Sequence, residues 1–368
     1  MDSEDNLLVI TTSPNRYKSY EVETEVLTIK ENLKIFRIQL PNHTSSMFSQ
    51  AFIFSIFFLK AIRICFKEKP DYLIGTSGRL MTAILTWIAS ILIRKPYAID
   101  LRDIFSETIS DIFSKKNIFF GKIFNKIFSH FDRWVLTNAN CVNIVSKGFS
   151  EYFEEKGIDT SKWLFYPNGI DDIFLQETIS EMNSSKTEFT ILYCGNIGYA
   201  QGLDKIVPHV AKKLGHKYRF IIIGDGSARE ELNTSIKELN IKNVTIINPV
   251  NRQNLLKYYR QSDILFLHLD EVPAFKRVLP SKLFEYAAMG KPIVAGIEGY
   301  SSNFVKDNIP YSLTFKPGQI DQCVRCVIKS SSIVVQENEV NYFINNFSRK
   351  KIMKSFAADL LKFSKNKI

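Results

Sequence analysis

The chain has 368 residues, 45% of them hydrophobic and 23% charged, with a formal net charge of +10. That length is too great for one ordinary domain and sufficient for two, each with its own apolar core. No Gly/Ser, Pro or Gln tract suggests a long disordered arm, and no repeat of solenoid period is present.

The excess of positive charge calls for an anionic partner: nucleic acid, an acidic membrane surface or a phosphorylated ligand. Between Lys30 and Ser150 there are 17 lysines and arginines against 8 acids, interleaved with Phe, Ile and Leu, and Arg349 to Ile368 adds 7 bases against 1 acid. No zinc-finger, recognition-helix or RNA-sheet signature accompanies them, so nucleic acid is not expected. The five cysteines, Cys65, Cys141, Cys194, Cys323 and Cys326, are scattered and odd in number, which fits a reducing cytoplasm. Cys323 and Cys326 are spaced as a packed helical face, with no second pair to complete a zinc site.

Taken in chain order, the N-terminus MDSEDNLLVITTS lacks the basic start and apolar core of a signal peptide. Strands are expected at LLVITT (7–12) and KIFRIQL (34–40), then a helix near 47–67 and a strand DYLIGT (71–76). The uncharged run Leu80 to Ile93 predicts a buried helix of roughly 21 Å, short of the roughly 30 Å of a hydrocarbon core. PYAIDL (96–101) and VNIVS (142–146) follow as strands. Asn-Gly and Pro punctuate Tyr166 to Asp171, and a second series begins. It runs FTILYCG (189–195), a helix near 202–214, YRFIIIGDG (218–226), a helix near 228–239, VTIINPV (244–250) and a helix near 252–260. DILFLHL (263–269), a helix near 281–288 and KPIVAG (291–296) complete it. Helices at roughly 338–363 close the chain and are expected to cross back to the first domain. Such alternation means βαβ units and parallel sheets covered by helices, so the fold class is α/β with two doubly wound, Rossmann-like domains. The boundaries read as 1–170, 171–340 and a helical 341–368.

In a parallel α/β sheet the ligand lies beyond the carboxyl ends of the strands. Gly195-Asn196-Ile197-Gly198 and Gly224-Asp225-Gly226 stand there. Such turns let backbone approach a phosphate, although simple tight turns of a Rossmann unit would look the same. Pro280-Ser281-Lys282-Leu283-Phe284-Glu285-Tyr286 says more. Ser281 is a suitable N-cap, while Lys282 and Glu285 fall on one helical face and Leu283 and Phe284 turn inward. A cation in the first helical turn opposes the dipole unless an anion shares the site, which argues for a bound diphosphate; an exposed Lys–Glu pair is the alternative.

PSKLFEYAAMGKPIVAG, preceded by GNIGYAQGLDKI and IIIGDGSAREEL, resembles the nucleotide-sugar half of the retaining family-4 glycosyltransferases of GT-B fold. TTSPNRY (11–17), TSGRLMTA (76–83), DLRDIFSETISD (100–111), NIVSKGFSEYF (143–153) and YPNGID (166–171) resemble the branch that transfers N-acetylfucosamine-like amino sugars in O-antigen and capsule synthesis. The resemblance implies a UDP-sugar donor, with Glu285 on the ribose hydroxyls and Lys282 on the diphosphate. The glycine turns would approach the phosphates and base, and Pro249 and Val250 would offer backbone to uracil. It implies no cofactor and no metal, and no Asp-x-Asp motif or clustered His/Cys set is present.

The sequence also departs from that family. Arg277 stands where the family has a Glu, and Asn196 and Gln201 where it has Arg and Lys; Arg277 with Lys282 would replace the missing phosphate cations. The chain begins at a strand that family members reach only after an earlier strand, glycine-rich loop and helix, as from a late start or the loss of a unit lining the acceptor cleft.

Asp100, Arg102 and Asp103 follow a first-domain strand. They would orient the acceptor hydroxyl and the sugar, or else form a structural Asp–Arg pair. Ser77 and Arg79 are candidate acceptor contacts, and His268 and Asp270 could touch the donor sugar. A glycosidase would also need paired carboxylates, but the Rossmann context argues against one. The segment KKNIFFGKIFNKIFSHFDRW (115–134) has Phe and Ile on one face and bases on the other, suiting either packing on a sheet or an anionic lipid surface. The expectation is a cytoplasmic enzyme at the inner face of the membrane, with a lipid-linked glycan as acceptor. A UDP-N-acetylhexosamine epimerase, and a non-catalytic remnant that binds nucleotide-sugar or a partner, remain alternatives.

Overall fold

The structure, a computed structural model, describes residues 5–13, 25–41, 47–77, 80–104, 130–175 and 186–365. The chain divides into two compact units. One comprises 1–144, 153–164 and 355–368, and the other 145–152 and 165–354.

In the first unit, β1 (Leu7–Thr12) pairs in parallel with β3 (Leu33–Ile38), and β2 (Leu27–Lys30) pairs antiparallel with β3. The antiparallel hairpin was not expected from the strand–helix alternation. Its turn, Glu31-Asn32, places Glu31 in the left-handed region at φ 43°. A second sheet has the order β4 (Leu73–Ser77), β5 (Tyr97–Leu101), β6 (Cys141–Ile144), β7 (Leu164–Phe165), and β4, β5 and β6 run parallel. Helix α1 (Met47–Glu68) packs Ala61 and neighbouring Phe and Ile residues against Ile38 of β3 and Leu85 of α2 (Leu80–Ile93). The helix expected over Leu80 to Ile93 is therefore present, with Ala83, Leu85 and Ala89 inward but Met81, Ile91 and Leu92 exposed.

The second unit is built on one six-stranded sheet, in the order β10 (Val244–Ile247), β9 (Tyr218–Ile223), β8 (Phe189–Cys194), β11 (Ile264–His268), β12 (Ile293–Gly296), β13 (Ser312–Phe315). Every pair is parallel. Residues alternate between its two covered faces, as a doubly wound sheet requires. Ile191, Tyr193, Phe220 and Phe266 enter one core with Ile206 and Val210 of the helix Leu203–Leu214. Leu192, Cys194, Leu265 and Ile293 enter the other with Leu283, Phe284 and Tyr286. Cys323, fully buried, belongs to the first of these cores and Cys326 packs against it, which makes the pair a packed helical face. Strand order runs outward from β8 in one direction and from β11 in the other. The chain therefore reverses its winding between these two strands, and the crevice beyond their carboxyl ends is where a doubly wound sheet takes its ligand.

The end of the chain forms two helices, Glu337–Phe347 and Arg349–Lys365, over the stretch where helices were expected. Ser348 interrupts them because it bridges in parallel to Ile170. Arg349 donates from Nε to the carbonyl of Asn168 at 2.8 Å and from Nη1 to Asp171. The Tyr166–Asp171 turn is thereby clamped within the second unit by residues about 180 positions later.

Candidate functional site

The reversal point is furnished by the residues that end β8. The Gly195 N–H donates to the carbonyl of Ile223 at 2.8 Å, and the Ile197 N–H to that of Asp225 at 2.9 Å, so the two glycine turns are laced together. A methyl group on Gly224 would collide with the carbonyl oxygen of Gly195, and one on Gly195 would collide with Cε of Lys282. Only glycine permits this approach, and it brings Lys282 across the α-carbon of Gly195.

Lys282 opens the helix Lys282–Ala288, and its ammonium forms no hydrogen bond or ion pair among the described residues. Three positions on, Glu285 accepts a hydrogen bond from Tyr259 Oη at 3.2 Å. Tyr286 Oη accepts from the Cys194 N–H at 3.1 Å and ties the same helix to β8. Burial pushes the Cys194 thiol up to about 12, with Lys282 pulling it down and Glu285 pushing it up. Both charges therefore bear on the end of β8. Burial also carries the Tyr259 and Tyr286 phenols well above their ordinary range, so both stay neutral. Leu283 lies inward in the core beneath.

Ser281 does not cap this helix. Its φ of −59° and ψ of −27° are already helical, and its side chain makes no cap bond. The first turn is tight, with the Leu283 N–H donating to Pro280 at 3.1 Å and the Phe284 N–H to Ser281 at 3.2 Å.

Asn196 and Gln201 bond to each other. Gln201 Oε1 accepts from Asn196 Nδ2 at 3.0 Å and from the Gly198 N–H at 3.1 Å, which holds the loop in shape without a cation. Asp225 accepts from the Gly226 N–H at 2.9 Å, and Arg229 donates to the Gly224 carbonyl at 3.2 Å. Pro249 is exposed and Val250 half-buried beyond β10. Arg277 ends the short turn Pro273–Arg277 and lays its guanidinium over the Tyr152 ring at 5.1 Å.

His268 is spent structurally. It is 1% exposed, its Nδ1 meets the Gln201 carbonyl at 2.7 Å, and its Nε2 accepts from the Gly318 N–H at 3.1 Å. The second bond places the ring proton on Nδ1, leaving no nitrogen for a sugar, contrary to expectation. Burial lowers the His268 pKa and keeps it neutral. Asp270 pairs with Lys205; burial pushes its carboxyl up, but that ammonium and the Glu271 N–H outweigh it and hold it below the usual range.

In the first unit, Asp100 is the penultimate residue of β5 at 2% exposure, accepting from Arg102 Nε at 2.8 Å and from Asn143 Nδ2 at 2.8 Å. Burial raises the Asp103 carboxyl against a backbone bond from Ile104. Ser77 ends β4, but its side chain, Arg79 and residues 105–129 lie outside the described residues, including most of the basic segment 115–134. Among the described residues no helix is long and apolar enough to cross a membrane.

Sequence reasoning missed Tyr259, Gln201 and Arg349 as positioning groups. Nothing in the local pattern marks Tyr259, whereas Tyr286 lies within the motif itself.

Comparison with known proteins places a class on this architecture. Residues 176–346 match the family Glycosyl transferases group 1. The Anabaena HepE protein in complex with UDP and glucose superposes with a TM-score of 0.64 at 16% identity, over 90% of this chain and 86% of that one. That likeness speaks for the fold alone, α/β domains with parallel sheets of the GT-B class. An Escherichia coli K12 protein named as a glycosyl transferase of colanic acid biosynthesis is 25% identical over 46% of this chain and 44% of its own length. A Campylobacter jejuni alpha-1,4-N-acetyl-D-galactosaminyltransferase, whose name specifies a diNAcBac-PP-undecaprenol saccharide, is 30% identical over 30% of this chain and 29% of its own length. The chain thus matches less than half the length of these curated relatives.

Proposed function

We propose that the chain is a retaining glycosyltransferase that moves a sugar, of hexosyl or N-acetylhexosaminyl type, from a UDP donor to a lipid-linked glycan in surface polysaccharide synthesis. The observation that carries this reading is the ammonium of Lys282, unpartnered among the described residues and lying over Gly195 at the reversal point, with Glu285 fixed three residues on by Tyr259. A cation left without a counter-charge beside two glycine turns suits a diphosphate, and a carboxylate held by a tyrosine suits the paired hydroxyls of a ribose.

On this reading the second unit binds the donor. Gly195, Asn196, Gly198, Gly224, Asp225 and Gly226 surround the phosphates and base, Pro249 and Val250 present backbone to uracil, and Arg277 and Ser281 shape the wall, which Leu283 supports from the core beneath. Asp103 acts on the acceptor side with Ser77 and Arg79, at a strand end that Asp100 and Arg102 hold in place. The acceptor oxygen forms a bond to the anomeric carbon as the bond to the diphosphate oxygen breaks on the same face. The acceptor proton passes to that departing oxygen. Lys282 stabilises the negative charge that gathers on UDP, in the manner of an oxyanion site. No metal is assigned a role. The lipid-linked acceptor places the enzyme at the inner face of the membrane.

Purified chain given a panel of UDP-sugars and a lipid-linked acceptor should release UDP, and Glu285→Ala should abolish release. Activity that survives the substitution removes Glu285 from the site. Conversion of UDP-N-acetylhexosamine without any acceptor would put an epimerase in place of the transferase.

A further inference from the structure

Helix α1 turns three large apolar residues to solvent on the side opposite its packed face. Phe52 is 66% exposed, Leu59 57% and Phe66 51%. They are spaced seven apart, so at roughly 100° per residue they fall within about 40° of one another around the helix. Ile53, Ala61 and Cys65, on the other side, are buried. Beside the apolar stripe stand Lys60, Arg63 and Lys67, all exposed, while the one acid of the helix, Glu68, is paired with Lys34 at 2.7 Å. α2, packed alongside through Leu85, exposes Met81, Ile91 and Leu92 as well. Exposed large apolar side chains in such a row mark a surface that meets something other than water.

We infer that the outward face of α1 docks on an anionic lipid surface, with Phe52, Leu59 and Phe66 entering the headgroup boundary and Lys60, Arg63 and Lys67 meeting the phosphates. Charge chooses this occupant. A row of Phe and Leu with bases along one side, on a helix whose one acid is already paired, is the composition of an interfacial helix, in which apolar burial and attraction to acidic lipid act together. Its inner face is committed to the sheet, so the helix lies on a membrane and does not span it. The inference extends the proposed action on a lipid-linked acceptor and rests on that reading for its purpose, though not for its geometry. It assigns the attachment to α1, whereas the sequence had pointed to 115–134.

The test is cosedimentation of the full chain with phosphatidylcholine vesicles with and without phosphatidylglycerol. Binding should require phosphatidylglycerol. It should fall at least about tenfold in the variant Leu59→Asp/Phe66→Asp, and by a similar factor in Lys60→Glu/Arg63→Glu/Lys67→Glu. These positions face solvent, and an unchanged melting temperature would establish that the variants fold. Equal binding by wild type and variants, or no binding by wild type, overturns the inference. So does a lipid-free dimer that Leu59→Asp/Phe66→Asp turns into monomer, since the stripe would then serve a second copy of the chain. UDP-dependent thermal stabilisation, measured on the same samples, reads the second unit alone. Its loss with vesicle binding intact would count against the proposed function and leave the lipid surface standing.

Discussion

Two strand ends carry the charged residues from which chemistry was expected, and they differ in how much of that charge is already spent. At the end of β5, each oxygen of Asp100 accepts a hydrogen bond, one from Arg102 and one from Asn143, and the group is buried. At the end of β8, Lys282 stretches over Gly195 and meets no counter-charge among the described residues. A satisfied buried carboxylate holds its surroundings in place. An unsatisfied cation beside glycine turns is free to meet an anion. The first arrangement should therefore be felt in stability and the second in binding.

The largest expected effect lies on the β5 side. Asp100→Ala removes the buried carboxylate that accepts from Arg102 and Asn143 and should cost about 2–4 kcal/mol of stability, measured by urea or thermal unfolding. A variant as stable as wild type would mean that the carboxylate is held in reserve, as Lys282 is, and would erase the contrast. Next comes Lys282→Met, which should weaken UDP binding about tenfold to a hundredfold, the equivalent of about 1.5–3 kcal/mol for a charge-assisted contact, while the melting temperature of the free protein hardly moves. Calorimetric titration with UDP checks this, and unchanged affinity would break the comparison at its other end.

The smallest effect concerns the support beneath the β8 loop. Burial holds the pKa of His268 below its ordinary 6.5, so the unfolded chain takes up this proton before the folded one does. Its contribution to stability is complete above 6.5 and is lost as pH falls below that value toward the folded pKa. Protonation also removes the acceptor for the Gly318 N–H. Melts at about pH 5.5 and about pH 7.5 should show the difference, and His268→Gln should flatten it.

The second unit was legible because its code is local. Glycines at strand ends, and Lys282 and Glu285 one helical turn apart, lie within short windows where periodicity and turn chemistry speak directly. Ser281 was misread for a physical reason: the tight first turn had already drawn it into helical geometry. What stayed hidden depended on distance along the chain. Tyr259 reaches Glu285 from a helix 26 residues earlier, and Asn143 reaches Asp100 across 43 residues, neither of which a sequence pattern reports. The β2–β3 hairpin was missed because Glu31-Asn32 is not one of the glycine turns that announce such a reversal.

The clamp of Arg349 on Asn168 and Asp171 has a consequence for how the protein is made. Ribosomes deliver the chain from the N-terminus at roughly 5–20 residues per second. The turn before β8 therefore emerges on the order of ten to forty seconds before the arginine that secures it. Over that interval the turn stands without its clamp, and its closure awaits the helix that Arg349 opens.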